Sequence, residues 1–68
     1  MNKIQKIIIK KMSDGYTQPE VAAYLKKREI IPNSLSMVEK ELIKLKKAHG
    51  AQTLVHLIAM LFRKGEMK

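Results

Sequence analysis

No cysteine occurs in these 68 residues, which excludes disulfides and thiolate metal sites and fits a reducing cytoplasm. Acidic residues are scarce: six Asp and Glu stand against 14 Lys and Arg, giving a formal net charge of +8 and a pI near 10.0. That imbalance favours an anionic partner, either nucleic acid or an anionic membrane surface, and charge alone does not choose between them. Long apolar runs are missing too. The longest apolar-rich stretch, Leu54 to Phe62, contains His56 and falls far short of the ~20 residues a transmembrane helix needs. The start, Met1-Asn2-Lys3-Ile4-Gln5-Lys6, leads into no uninterrupted apolar region or small-residue cleavage site, so no signal peptide and a soluble protein are expected.

A chain of this length makes one domain, residues 1–68, and a domain near this size buries only roughly 60% of its unfolded surface. With no covalent staple available, oligomerisation is the expected source of further stability.

What the chain does have is a stretch with two faces, Ser34 to Gly50. At about 100° per residue, Leu35, Val38, Leu42, Leu45 and His49 fall on one side of a helix, the spacing of a core-facing stripe. Ser36, Lys40, Ile43, Lys44 and Lys47 fall on the other, with Met37 at the border. Lys40, Lys44 and Lys47 stack like charges at i, i+4 and i+3, which costs an isolated helix a few tenths of a kcal/mol per pair. A polyanion along this face would remove the repulsion. The competing reading is an ordinary solvated lysine face.

Ahead of this stretch, Ile4, Ile7, Ile8 and Met12 repeat at helical spacing and predict a first helix over about 2–13, stopped by Gly15, with Ile9 outside the main stripe. The run Ile7-Ile8-Ile9 is also compatible with a strand, but the 3.6-residue period extends over more than two turns. Thr17-Gln18-Pro19-Glu20 is a capping-box start with proline in the first turn, predicting a second helix over about 18–28 with Val21, Ala22, Tyr24 and Leu25 inward. Pro32 turns the chain before Asn33, and at least one of Ile30 and Ile31 is expected to pack back on the domain. Either Ser34 or Ser36 caps the third helix, about 35–48, and Gly50 ends it. In the last helix, about 52–64, Leu54, Leu57, Ile58 and Leu61 form one apolar stripe and Val55, Ala59 and Phe62 a second. The second exceeds what a core against three short helices requires and is a candidate homodimer interface. The fold class expected is all-α, four helices, with the second and third as a helix-loop-helix pair.

In this order the residues resemble the LuxR-type (GerE-like) helix-turn-helix domain of bacterial transcription regulators. The family's Gly-x-[Ser/Thr]-x-x-Glu-Ile-Ala-x-x-Leu is followed by Gly15-Tyr16-Thr17-Gln18-Pro19-Glu20-Val21-Ala22-Ala23-Tyr24-Leu25. Its later apolar positions, glycine and closing basic pair are met by Val38, Leu42, Leu45, Gly50 and Arg63-Lys64-Gly65. The link between Leu25 and Val38 is several residues longer than the family's turn, Met37 and Glu39 replace the usual threonine and lysine, Ile43 stands where many members place a polar contact, and His49 replaces a leucine. The resemblance implies a third helix that enters the DNA major groove, a last helix that dimerises, and a bacterial, cytoplasmic, nucleoid-associated setting.

For double-stranded DNA the candidate contacts are therefore Ser36, Met37, Lys40, Ile43, Lys44 and Lys47 on the third helix, with lysine donating to guanine edges or phosphate and Met37 or Ile43 touching a thymine methyl. Thr17 and Gln18 are candidate phosphate contacts at the start of the second helix, and Lys26, Lys27 and Arg28 candidate non-specific ones. His49 and His56 flank Gly50 without a carboxylate cluster at ligand spacing, and no nucleophile has a histidine near in sequence to orient it, so neither a metal, a cofactor nor an enzyme is expected. A protein-interaction module on the same scaffold, using Met37, Ile43 and the Val55, Ala59, Phe62 stripe, is the main alternative. Peripheral membrane binding through the last helix is a third.

Overall fold

Local capping signals divide the chain into helices. In the computed structural model, which describes residues 1–65, the helices are α1 (Lys3–Ser13), α2 (Gln18–Lys27), α3 (Leu35–His49) and α4 (Leu54–Arg63). No strand occurs among the described residues, and the class is all-α. The last three residues of the single-domain reading, 66–68, lie outside the described part.

Each helix starts on a polar cap. Asn2 caps α1 through its side chain to the Gln5 N–H at 2.8 Å, and the Gln5 side chain returns to the Asn2 N–H at 3.1 Å. Thr17 and Glu20 form the capping box expected for α2. For α3 the cap is Ser34, whose hydroxyl accepts from the Met37 N–H at 3.1 Å; Ser36 is already inside the helix. Thr53 caps α4, so this helix begins at Leu54, the first residue of its apolar stripe, rather than at about 52.

Helix ends are as specific. Gly15 (φ 98) and Gly50 (φ 68) take left-handed geometry after α1 and α3, where glycine carries no Cβ penalty. After α2 the same geometry falls on Glu29, φ 55. Here Ile30 donates to the Leu25 carbonyl at 2.9 Å and Glu29 to that of Lys26 at 3.0 Å, a Schellman closure made without glycine. It points the chain back so that Ile30 packs on the core, while Ile31 stays 83% exposed. One of the two isoleucines thus covers the link, as its composition required.

The core consists of Ile8, Ile9, Val21, Ala22, Leu25, Val38, Leu42, Leu45, Leu57 and Leu61, with no buried polar or charged residue among the described ones. α3 packs against all three other helices, and α1 and α2 pack on each other. The Cα radius of gyration, 11.2 Å, agrees with the ~11 Å of a folded domain of this length.

Two positions differ from the periodic reading. The helical period leaves Ile9 outside the main stripe, yet it is fully buried: α1 packs on both α2 and α3, so its covered arc is wider than one stripe. The helical period sets Leu35 on the core side, yet it is 39% exposed, because it is the first helical residue and the first fully buried side chain of α3 is Val38.

Candidate nucleic-acid interface

The solvent side of α3 carries Ser36, Lys40, Ile43, Lys44 and Lys47, all exposed, opposite a buried side of Val38, Leu42 and Leu45. Those three leucine and valine anchors lock the rotation of α3, so the outer residues project together in one direction. A rigid element presenting an ordered row of side chains is what groove readout needs. Met37 belongs to the other group: it is half-buried and packs on the core, which limits it to the edge of the outer face.

Charge on this face is largely uncompensated. Lys44 pairs with Glu41 at 3.2 Å, with the lysine 71% and the glutamate 15% exposed. Lys40 and Lys47 make no ion pair among the described residues. Ile43, 48% exposed, sits among these lysines as the one large apolar side chain of the face.

The start of α2 is arranged differently. The Glu20 carboxylate accepts from the Thr17 backbone N–H and hydroxyl, both at 2.9 Å, and the Thr17 hydroxyl in turn accepts from the Glu20 N–H at 3.3 Å. The Thr17 backbone N–H, then its hydroxyl, hold the Glu20 carboxyl below its usual 4.5. A local anion therefore already occupies the Thr17 donors, and a phosphate there would have to displace it. Gln18, half-buried, is the first residue of the helix.

On α4, Leu57 and Leu61 are fully buried, whereas Val55 is 80% and Phe62 51% exposed, with Ala59 half-buried between them. These three positions, at i, i+4 and i+7, share one side of the helix, and its two larger side chains are exposed.

A second basic cluster was only partly visible in the sequence. Lys6, Ile7, Lys10, Lys11 and Tyr24 line a groove of about 380 Å³ between α1 and α2. The Lys11 ammonium lies 4.2 Å from the Tyr24 ring centroid and 5.1 Å from that of Tyr16, and the two rings meet edge to face at 6.3 Å. Arg28 approaches Tyr24 as well, at 5.4 Å. The signal available in the sequence was Lys6 and Lys10 at i, i+4, outward from the isoleucine stripe.

No described helix is long and apolar enough to cross a membrane, and no described group of His, Cys, Asp and Glu is placed to hold a metal ion. Comparison with protein-family models, curated proteins and solved structures gives no match to this chain.

Proposed function

We propose that this chain is a small bacterial DNA-binding transcription regulator of LuxR-like helix-turn-helix type, cytoplasmic and nucleoid-associated. In this reading α3 lies in the major groove of double-stranded DNA and α4 joins two copies. The observation that carries it is the outer face of α3: Ser36, Lys40, Ile43, Lys44 and Lys47 exposed together on a helix fixed by Val38, Leu42 and Leu45. Lysines there donate to guanine edges and phosphates, Ser36 to either, and Ile43 meets a thymine methyl. Met37 contributes from the edge of the face. Gln18 supports the docking with a phosphate contact at the start of α2, and Thr17 does so where phosphate replaces the Glu20 carboxylate. Val55, Ala59 and Phe62 form the homodimer contact, which places two reading helices on two half-sites.

The test is a charge reversal. Lys40→Glu/Lys44→Glu keeps its helicity by circular dichroism and binds DNA more weakly in fluorescence anisotropy. Wild-type affinity in that variant overturns the assignment of the reading face.

A second reading is favoured by the exposure of Ile43, Val55 and Phe62 at 48%, 80% and 51%. In it the chain is a protein-interaction module, and its association is apolar and insensitive to salt. Strong salt dependence of binding separates the first reading from this one.

A further inference from the structure

We propose that the groove between α1 and α2 is a second nucleic-acid site, in which Lys6, Lys10 and Lys11 hold backbone phosphates and the Tyr24 edge walls the strand. It uses no residue of the α3 face and stands or falls separately from it.

Four observations carry the proposal. First, the exposed residues of α1 are Lys3, Lys6 and Lys10, so the helix turns a purely cationic row to solvent. At ~1.5 Å per residue, Lys6 and Lys10 lie about 6 Å apart along the axis and Lys3 extends the row to about 10 Å. A strand with a phosphate every ~3.4 Å of axis engages such a row along its length, where a small anion engages one or two of its members.

Second, the row borders a concavity. The groove is shallow and open to solvent, about 380 Å³, which suits a strand laid along it rather than an enclosed small molecule, and Lys6, Lys10 and Lys11 line it together with Ile7 and Tyr24. Third, the cations are available. Lys10 has one exposed ion pair, to Asp14 at 3.4 Å, and neither Lys6 nor Lys11 has any among the described residues. Fourth, Lys11 is held in place by its position over the Tyr24 and Tyr16 rings, which orients a charge that would otherwise sample many rotamers.

The chemistry favours nucleic acid over a lipid surface. An interfacial helix sets apolar side chains into the acyl boundary beside its lysines. Here the apolar member of the groove, Ile7, is half-buried and packed on the core, and the exposed row offers none.

Lys6→Gln/Lys10→Gln leaves the Lys11–Tyr24 contact in place and substitutes a good helix former at exposed positions. Measured by anisotropy against short duplexes of several sequences over a salt series, this variant weakens binding to all of them alike and lowers the log–log salt slope by about two. Unchanged affinity and slope overturn the proposal, as does a loss seen only with anionic phosphatidylserine vesicles. In the Lys40→Glu/Lys44→Glu background, titration with duplex shifts the backbone amide resonances of Lys6, Lys10, Lys11 and Tyr24; absence of those shifts overturns the second site. Failure of the α3 reading shows instead as wild-type affinity in that background, whatever the groove variant does.

Discussion

Glu41 ties α1 to the basic face of α3. One carboxylate oxygen accepts from Gln5 Nε2 at 3.0 Å across the helix pair, and the other from Lys44 Nζ at 3.2 Å. A single side chain, 15% exposed, thus fixes the packing of α1 and restrains one lysine of the proposed reading face.

Glu41→Gln separates the two roles. The amide oxygen still accepts from Gln5, while the charge that restrains Lys44 is gone. The exposed Lys44 makes the lost pair worth at most ~1 kcal/mol, so urea denaturation shifts little. On the proposed reading DNA affinity rises, because Lys44 is released and the chain loses a negative charge. Unchanged or weaker binding would place Lys44 outside the contact.

Glu29 is the residue to change for stability. Its left-handed φ of 55 closes α2 where a side chain is penalised and glycine is not. Glu29→Gly offsets that penalty against a more flexible unfolded chain, and a net gain of about 0.5–1 kcal/mol is expected in denaturant unfolding. A loss of stability would contradict the assigned closure.

The acid limb of stability should record the α2 cap. Glu20 has a lowered folded pKa because the Thr17 N–H, then the Thr17 hydroxyl, bind its charged form. The stabilisation is therefore complete above the usual value of 4.5 and is lost as pH falls through the folded value. Relative to Glu20→Gln, whose amide keeps the box but does not titrate, the native chain loses stability below about pH 4.5. Parallel pH profiles for the two proteins would remove the assigned contribution.

The two sides of α4 respond in opposite ways. Leu57→Ala opens a fully buried site and costs about 2–5 kcal/mol, a large share of what a small domain possesses. Phe62→Asp, at a half-exposed position, leaves the fold intact, and if α4 joins two copies as proposed the variant sediments as a monomer where the native chain sediments as a dimer. A dimer that persists in this variant would place the interface elsewhere.

Local chemistry was the part of this architecture most legible in the sequence. The Thr17–Glu20 box and the Gly50 stop depend on residues within one turn, and both occur where the spacing put them. The outer face of α3 was legible for the same reason, since a period of 3.6 fixes which residues share a side. Packing was less so. Ile9 is buried because α1 meets two neighbours, and Leu35 is exposed because the helix contact begins a turn later, neither of which a single stripe encodes. The capping competition between Ser34 and Ser36 is settled by the Ser34 hydroxyl accepting from the Met37 N–H. The α1–α2 groove depends on Lys11 meeting Tyr16 and Tyr24 from another segment, a juxtaposition only the tertiary fold creates.

Selection of bound duplexes from a random-sequence library at near-physiological salt tests the central claim most directly, because any chain this basic binds DNA weakly at low salt. A dimer reading two half-sites through α3 enriches an inverted repeat. Recovery of no duplex, or of duplexes without a shared motif, contradicts sequence reading by this face.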